Sequence, residues 1–345
     1  MAQPSFQGRF IWTELLCNDS AAAANFYTRV LPWKAQPFSP DSPYTMFVAK
    51  SGKPVAGAMG LTDDMRAKGA SAHWRGFIGA ADVDAMVARA VQFGATIRQP
   101  AENMPGVGRA AVLADPQGAV FGLYCPLSTS SSSNAQDSGF SWYELAARDR
   151  ETALAFYQQL FGWELRPPMD MGGGFHYQTF GLQGQDIGGC YTIPADRPMP
   201  PAWCPYAACG SADDVAGKVV AAGGGIAHGP VNVPGGGRIV QFFDPQRVMF
   251  AVHSMAVAVT KPAATVPART HAKPKKRPAK KVVKAPVKKV AKKKAAKKQP
   301  ATQRAVKRPI KKAVRKPARK PALKAVRKVT RKPARKPARK PARKK

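Results

Sequence analysis

Apolar side chains at Ala23, Phe26, Tyr27, Val30 and Leu31 recur at i, i+3, i+4, i+7 and i+8, the spacing of one buried helix face. Asp19 stands where an N-cap is needed, and Pro32 cannot continue the helix. The same period returns at Val83, Met86, Val87, Ala90 and Val91, opened by Asp82 and closed by Gly94. Between and around these helices lie shorter apolar runs that read as strands. One carries "FIWTELLC", others run around Tyr44–Ala49, Val55–Met59 and Trp74–Gly79, and a final pair is joined by the turn "DPQG", Asp115 to Gly118. The order is strand, helix and three strands, written twice: an α+β arrangement.

The whole pattern then recurs. At a shift of about 130 residues, Glu14 meets Glu144, Phe26-Tyr27 meets Phe156-Tyr157 and Trp33 meets Trp163. Trp74 meets Trp203, Gly94 meets Gly223, and Asp115-Pro116 meets Asp244-Pro245. In the second copy Asp149 caps the first helix and Gly162 ends it. Two copies of one domain are therefore expected, over 8–126 and 139–256. A serine-rich stretch, 127–138, reads as a flexible linker between them.

Charge separates a third region. Residues 261–345 hold 37 of the 55 Lys and Arg and none of the 20 Asp and Glu, so residues 1–260 carry 18 basic against 20 acidic side chains. Every aromatic residue, Met and Cys also lies in that first part. The segment 257–345, built of Lys, Arg, Ala, Pro and Val, cannot bury enough apolar surface to offset chain entropy and is expected to be disordered. Five scattered cysteines without a CxxC pair suggest neither a zinc ribbon nor a disulfide framework. The N-terminal "MAQPSFQGRF" has no signal-peptide pattern, and no apolar run approaches the ~20 residues of a membrane span. A cytoplasmic, bacterial protein is expected.

The stretches "ELLCNDSAAAANFYTRVLPW" and "ELAARDRETALAFYQQLFGW", with "HWRGFIGAADVDAMVARAVQFGA" and "PAWCPYAACGSADDVAGKVVAAGG", resemble the vicinal oxygen chelate superfamily. That group includes glyoxalase I, extradiol dioxygenases and bleomycin-resistance proteins. The endings "VLADPQGAVFGLY" and "QFFDPQRVMFAVH" complete the likeness, which is nearest to tandem glyoxalase-like proteins labelled hydroxylases or lyases. The resemblance implies that βαβββ modules curve a sheet around a cavity. It also implies metal ligands at a first-strand His, a third-strand His and a last-strand Glu. Here those positions hold Trp12 and Trp142, Arg75 and Cys204, and Gly122 and Ala251. A divalent ion needs imidazole or carboxylate ligands converging at ~2 Å, so neither a family-type metal nor another cofactor is expected.

Strand alternation puts Trp12, Glu14 and Leu16 on one face and Thr13, Leu15 and Cys17 on the other. The family register turns the first set, and Trp142 with Glu144, toward the cavity. A Trp wall beside one carboxylate suits a small ligand bearing an amine, hydroxyl or cationic group. It also suits a general base, because an apolar neighbour raises a carboxyl pKa. Glu14 and Glu144 are therefore the candidate catalytic residues. Trp12, Trp142, Arg75, Phe77, Cys204, Tyr206 and His176 are the candidate ligand contacts. Against this stands a plain structural reading, in which Glu14 pairs with Arg75 as a buried ion pair.

The C-terminal segment resembles the Lys/Ala/Pro-rich tails of linker histones and bacterial histone-like proteins. Its "RKPA" repeat offers Arg331, Lys332, Arg335, Lys336, Arg339 and Lys340 to a polyanion. Without aromatic residues it cannot stack on bases, so non-specific phosphate contacts to DNA are expected, with RNA, polyphosphate and anionic lipid as other partners. Three functions remain open from the residues: a ligand-binding protein, a metal-independent lyase, isomerase or hydroxylase, and a nucleoid-associated protein with the paired domains as scaffold. Self-association is left open as well.

Overall fold

The computed structural model describes residues 6–127 and 139–255. Most of the proposed linker and the entire basic tail lie outside the described residues. Each copy builds one open, curved sheet. In the first, β1 (Phe10–Cys17), α1 (Ser20–Val30), β2 (Trp33–Pro37), β3 (Thr45–Ala49) and β4 (Pro54–Gly60) form one module. After a short helix, α2 (Asp63–Ala67), come β5 (His73–Gly79), α3 (Val83–Gln92), β6 (Thr96–Met104), β7 (Gly108–Ala114) and β8 (Val120–Pro126). The strand order is β2-β3-β4-β1-β5-β8-β7-β6, with β1 and β5 antiparallel at the centre.

The second copy repeats this with β9 (Phe140–Ala147), α4 (Arg150–Phe161), β10 (Glu164–Leu165), β11 (Met169–Asp170), β12 (His176–Leu182) and β13 (Gln185–Thr192). Its closing module is β14 (Ala202–Ala208), α5 (Ala212–Ala221), β15 (Gly225–Asn232), β16 (Arg238–Phe243) and β17 (Met249–Ser254). The order is β10-β12-β13-β9-β14-β17-β16-β15, with β11 beside β12.

The local chemistry follows the expected signals. Asp19, Asp82 and Asp149 each accept a hydrogen bond from a first-turn N–H of the helix they open. Gly162 ends α4 with φ 74°, a left-handed conformation that a side chain disfavours. Helix α2, capped by Thr62, has no counterpart in the apolar pattern, because none of its residues is buried. Val91 was placed on a buried stripe but is exposed. On α3 only Val83 and Ala90 are buried, with Met86 and Val87 half-buried.

The repeated aromatic and DP signatures join the two copies. Tyr27 on α1 accepts from Trp74 Nε1 at 2.8 Å and donates to Asp244 Oδ2 at 3.2 Å, on the far domain. Tyr157 on α4 accepts from Trp203 Nε1 at 3.0 Å and donates to Asp115 Oδ2 at 3.1 Å. Gln117 and Gln246 from the same turns grip the starts of α4 and α1, bonding the backbone of Asp149 and Asp19. Each first helix thus covers the closing strands of the other copy: Tyr27 packs on Phe250 and Phe156 on Phe121. Phe10 stacks on Tyr143 with centroids 3.7 Å apart. Burying such rings removes ~150–250 Å² each from water, so the shared aromatic core binds the copies into one compact unit.

Candidate functional site

Strand β1 runs beside β5 with Glu14 opposite Arg75, Trp12 opposite Phe77 and Leu16 opposite His73. Directly opposed residues share a face, so these six line the side of the sheet away from the shared core. Thr13, of opposite parity, reaches the interdomain core, where its Oγ1 lies 2.6 Å from Tyr143 OH. A register shift between Phe10 and Trp12 turns Phe10 into that core as well.

In the first domain the carboxylate is occupied. Arg75 Nε donates to Glu14 Oε2 at 2.9 Å and Nη2 donates to the same oxygen, with both side chains buried. The guanidinium sits over Phe77 at 5.3 Å. Phe77 in turn lies against Gly122, where a Cβ would collide with its ring. The plain structural reading of Glu14 and Arg75, a buried ion pair, is what the geometry shows. Trp12 Nε1 donates to Tyr44 OH at 3.0 Å. Tyr44 packs against Gly57, which must be glycine to admit it. Burial and the Glu14 charge push the Tyr44 hydroxyl pKa well above its ordinary value. His73 bonds Ser71 O through Nδ1 at 2.7 Å, while its buried Nε2 has no partner. Burial lowers its pKa and keeps the ring neutral.

The second domain repeats the frame and changes the occupant. Trp142 Nε1 donates to Tyr177 OH at 2.8 Å, and Tyr177 lies against Gly189. The residue opposite Glu144 is Cys204, and Tyr206 stands opposite Trp142. In place of a guanidinium, Gln241 Nε2 donates to Glu144 Oε1 at 2.7 Å and to Tyr206 OH at 2.6 Å. That bond spans two intervening strands, β14 and β17. Strands lie ~4.8 Å apart, so only a strongly curled sheet brings β9 and β16 side chains together. The small Ala251, between Gln241 and Tyr206 in register, leaves room for the amide to cross.

Glu144 is buried and its carboxyl pKa is raised, above all by loss of solvent; the hydroxyls of Tyr206 and Tyr177 and the Gln241 amide work in the other direction. Burial, then the Glu144 charge, pushes up the Cys204 thiol and the Tyr177 and Tyr206 hydroxyls, leaving them neutral. Tyr191, two residues beyond Gly189 on β13, feels the same charge.

The structure therefore brings Trp12, Glu14, Arg75 and Phe77 together on one concave face, and Trp142, Glu144, Cys204 and Tyr206 on the other. His176 stands apart. Its ring is exposed, with Nδ1 3.1 Å from Gly174 O, while its neighbour Tyr177 turns inward. Sequence reasoning did not pick out Tyr44, Gln241, Tyr191 or His73. A signal existed for Tyr44, since Tyr-x-x-Phe occurs at matched places as Tyr44/Phe47 and Tyr177/Phe180. Gln241 was visible as one polar residue inside the apolar strand "RIVQFF".

The donor set does not suit the superfamily's metal. Glu14 is held by Arg75, and Gly122 and Ala251 offer no ligand. Among the described residues no three His, Cys, Asp or Glu side chains form a group that could hold an ion.

Two sequence profiles match the chain. "Glyoxalase-like domain" covers residues 12–124, and "Glyoxalase/Bleomycin resistance protein/Dioxygenase superfamily" covers residues 139–252. The chain belongs to this superfamily. Its glyoxalase-like pair is similar over its length to CFP32 of Mycobacterium tuberculosis, which carries a glyoxylase name. Identity is 30% over 254 residues, 71% of this chain and 94% of that protein. The anthracycline biosynthesis protein DauV of Streptomyces sp. (strain C5) is 27% identical over 257 residues, 70% of this chain and 91% of DauV. Among solved structures, the Mn(II)-bound glyoxalase from Novosphingobium aromaticivorans superposes with TM-score 0.50 at 16% identity, covering 72% of this chain and 82% of that one. The 2,3-dioxygenase LapB from Pseudomonas sp. KL28 gives 0.51 at 12%, covering 74% and 94%. At such identities the likeness is one of fold. Among the described residues no helix is long and apolar enough to cross a membrane.

Proposed function

We propose that the protein binds a small organic ligand on the concave face of its second domain, without the superfamily metal. The observation that carries this reading is the contrast between the two carboxylates. Glu14 is neutralised by Arg75, whereas Glu144 is buried beside Trp142 with only neutral hydrogen-bond partners. An apolar wall with one convergent polar group is the usual make-up of a small-molecule site. Relatives named for glyoxylase and for anthracycline biosynthesis support a ligand that is a small organic molecule.

A second reading has one observation in its favour. Burial raises the Glu144 carboxyl pKa, the direction that suits a carboxylate acting as general base. Glu144 would then act as general base in a metal-independent lyase, isomerase or hydroxylase, with Tyr177 and Tyr206 as donors to an oxygen of the substrate. The basic tail would hold the protein on nucleic acid through phosphate contacts, because 37 cationic side chains there face no acidic ones.

Thermal melting of the full-length chain against small aromatic alcohols, phenols and amines tests the ligand site, since a bound ligand raises stability by RT ln(1 + [L]/Kd). A shift that survives exhaustive treatment with EDTA and disappears in Trp142→Ala supports the site. A shift that is lost with EDTA, or that Trp142→Ala leaves intact, contradicts it.

A further inference from the structure

Charge accounting at Glu144 narrows the class of ligand, taking the proposed site beside Trp142 as its basis. The two copies put a carboxylate at the same place on the central strand. In the first, the residue directly opposite is Arg75, and its guanidinium cancels the charge. In the second, the opposite residue is Cys204, whose thiol stays protonated. The remaining partners of Glu144 are the amide of Gln241 and the hydroxyls of Tyr177 and Tyr206, all neutral dipoles. Among the described residues no Lys, Arg or His forms an ion pair with it.

A buried carboxylate without a counter-charge is costly and must be met by a proton or by a cation from outside. The walls favour the cation. Trp142, Tyr177, Tyr191 and Tyr206 lie on the same face as Glu144 or bond to it, and all but Tyr206 keep part of their surface open. Aromatic faces carry negative charge density and attract ammonium groups within ~6 Å. In the first domain Arg75 lies over Phe77 in just this way, so the chain itself contains the filled version of the arrangement.

We propose that the concave face of the second domain is a site for an organic cation, a primary or quaternary ammonium on a small apolar body, whose charge pairs with Glu144 against the Trp142 and Tyr177 rings. The first domain supplies the same cation internally as Arg75.

Calorimetric titration of the full-length chain at about pH 8 and moderate salt tests this with two probes, benzyltrimethylammonium and its neutral analogue benzyl alcohol. The cation is expected to bind roughly tenfold or more tightly than the alcohol. Glu144→Gln should erase that preference. Cys204→Arg, which copies the Glu14–Arg75 register of the first domain, should weaken the cation by a similar factor. It serves as the second variant should Glu144→Gln fold poorly. Equal affinity for the two probes, or a preference that both variants retain, overturns the cation assignment but leaves a ligand site at Trp142 standing. Absence of binding by either probe overturns both.

Discussion

Glu14 and Glu144 occupy equivalent positions and meet different partners, and the consequences of removing those partners differ. Arg75→Ala leaves a buried carboxylate without its counter-ion, which costs on the order of 3–5 kcal/mol. A drop of that size in unfolding free energy by urea titration is expected for Arg75→Ala, and a much smaller one for Cys204→Ala. Glu144 gives a pH signature instead. Its folded carboxyl pKa lies above the ordinary 4.5 because burial disfavours the charged form. The folded protein then holds a proton that the unfolded chain has released. Stability from this group is present below about 4.5 and is lost as pH rises through the folded value. The groups facing it, Tyr177, Tyr191, Tyr206 and Cys204, are all pushed upward and stay neutral across that window. Melting curves should show parent stability falling relative to Glu144→Gln as pH rises from about 4.5; a gap that stays constant or reverses contradicts the assignment.

At the scale of elements, the first helix of each copy was legible because it buries a periodic stripe and carries its own cap. The stripe of α1 is buried at every residue the period picks out. Helix α2 was not legible, because a five-residue turn held by Thr62 buries nothing and leaves no period. What the echo of Phe-Tyr, Trp and Asp-Pro meant was also hidden. A repeat shows that two copies share a frame, but not that each helix will cross to cover the other sheet. Those residues form two reciprocal latches, Trp74–Tyr27–Asp244 and Trp203–Tyr157–Asp115. Tyr157→Phe strips Asp115 Oδ2 of a donor and Trp203 Nε1 of an acceptor inside the core, at a cost of about 1–3 kcal/mol. Tyr27→Phe should cost a similar amount, and the double variant their sum, because the latches share no residue. Denaturant midpoints of the three variants check this, and a single variant indistinguishable from the parent would argue against the latch. The candidate sites were half legible. Strand parity placed Trp12, Glu14, Trp142 and Glu144 on the concave faces. Gln241 reaches Glu144 across two strands only because the sheet curls, a property of no single strand.

For the whole molecule, duplication has left one shared core and two unequal faces. In the first domain Phe77 lies over Gly122 and Arg75 bonds Glu14; in the second Glu144 is buried among neutral partners. Tethering by the basic tail, as proposed, is tested separately. Deleting residues 257–345 should abolish binding to two unrelated DNA duplexes, and the full-length chain should lose affinity for both steeply as salt rises. The described core lies wholly before that segment, so the melting temperature should change little. Retained binding, or a large preference for one duplex, would place the nucleic-acid contact elsewhere. The central claim concerns which face takes a ligand, and the chain's six tryptophans make it directly readable. The measurement is the indole N–H region of an ¹H–¹⁵N correlation spectrum of the full-length protein, titrated to saturation with benzyltrimethylammonium, each indole signal assigned by Trp→Phe substitution. The Trp142 resonance is predicted to move while the Trp12 resonance stays in place. Movement of Trp12, or a Trp142 signal that saturating probe leaves unmoved, would contradict the account.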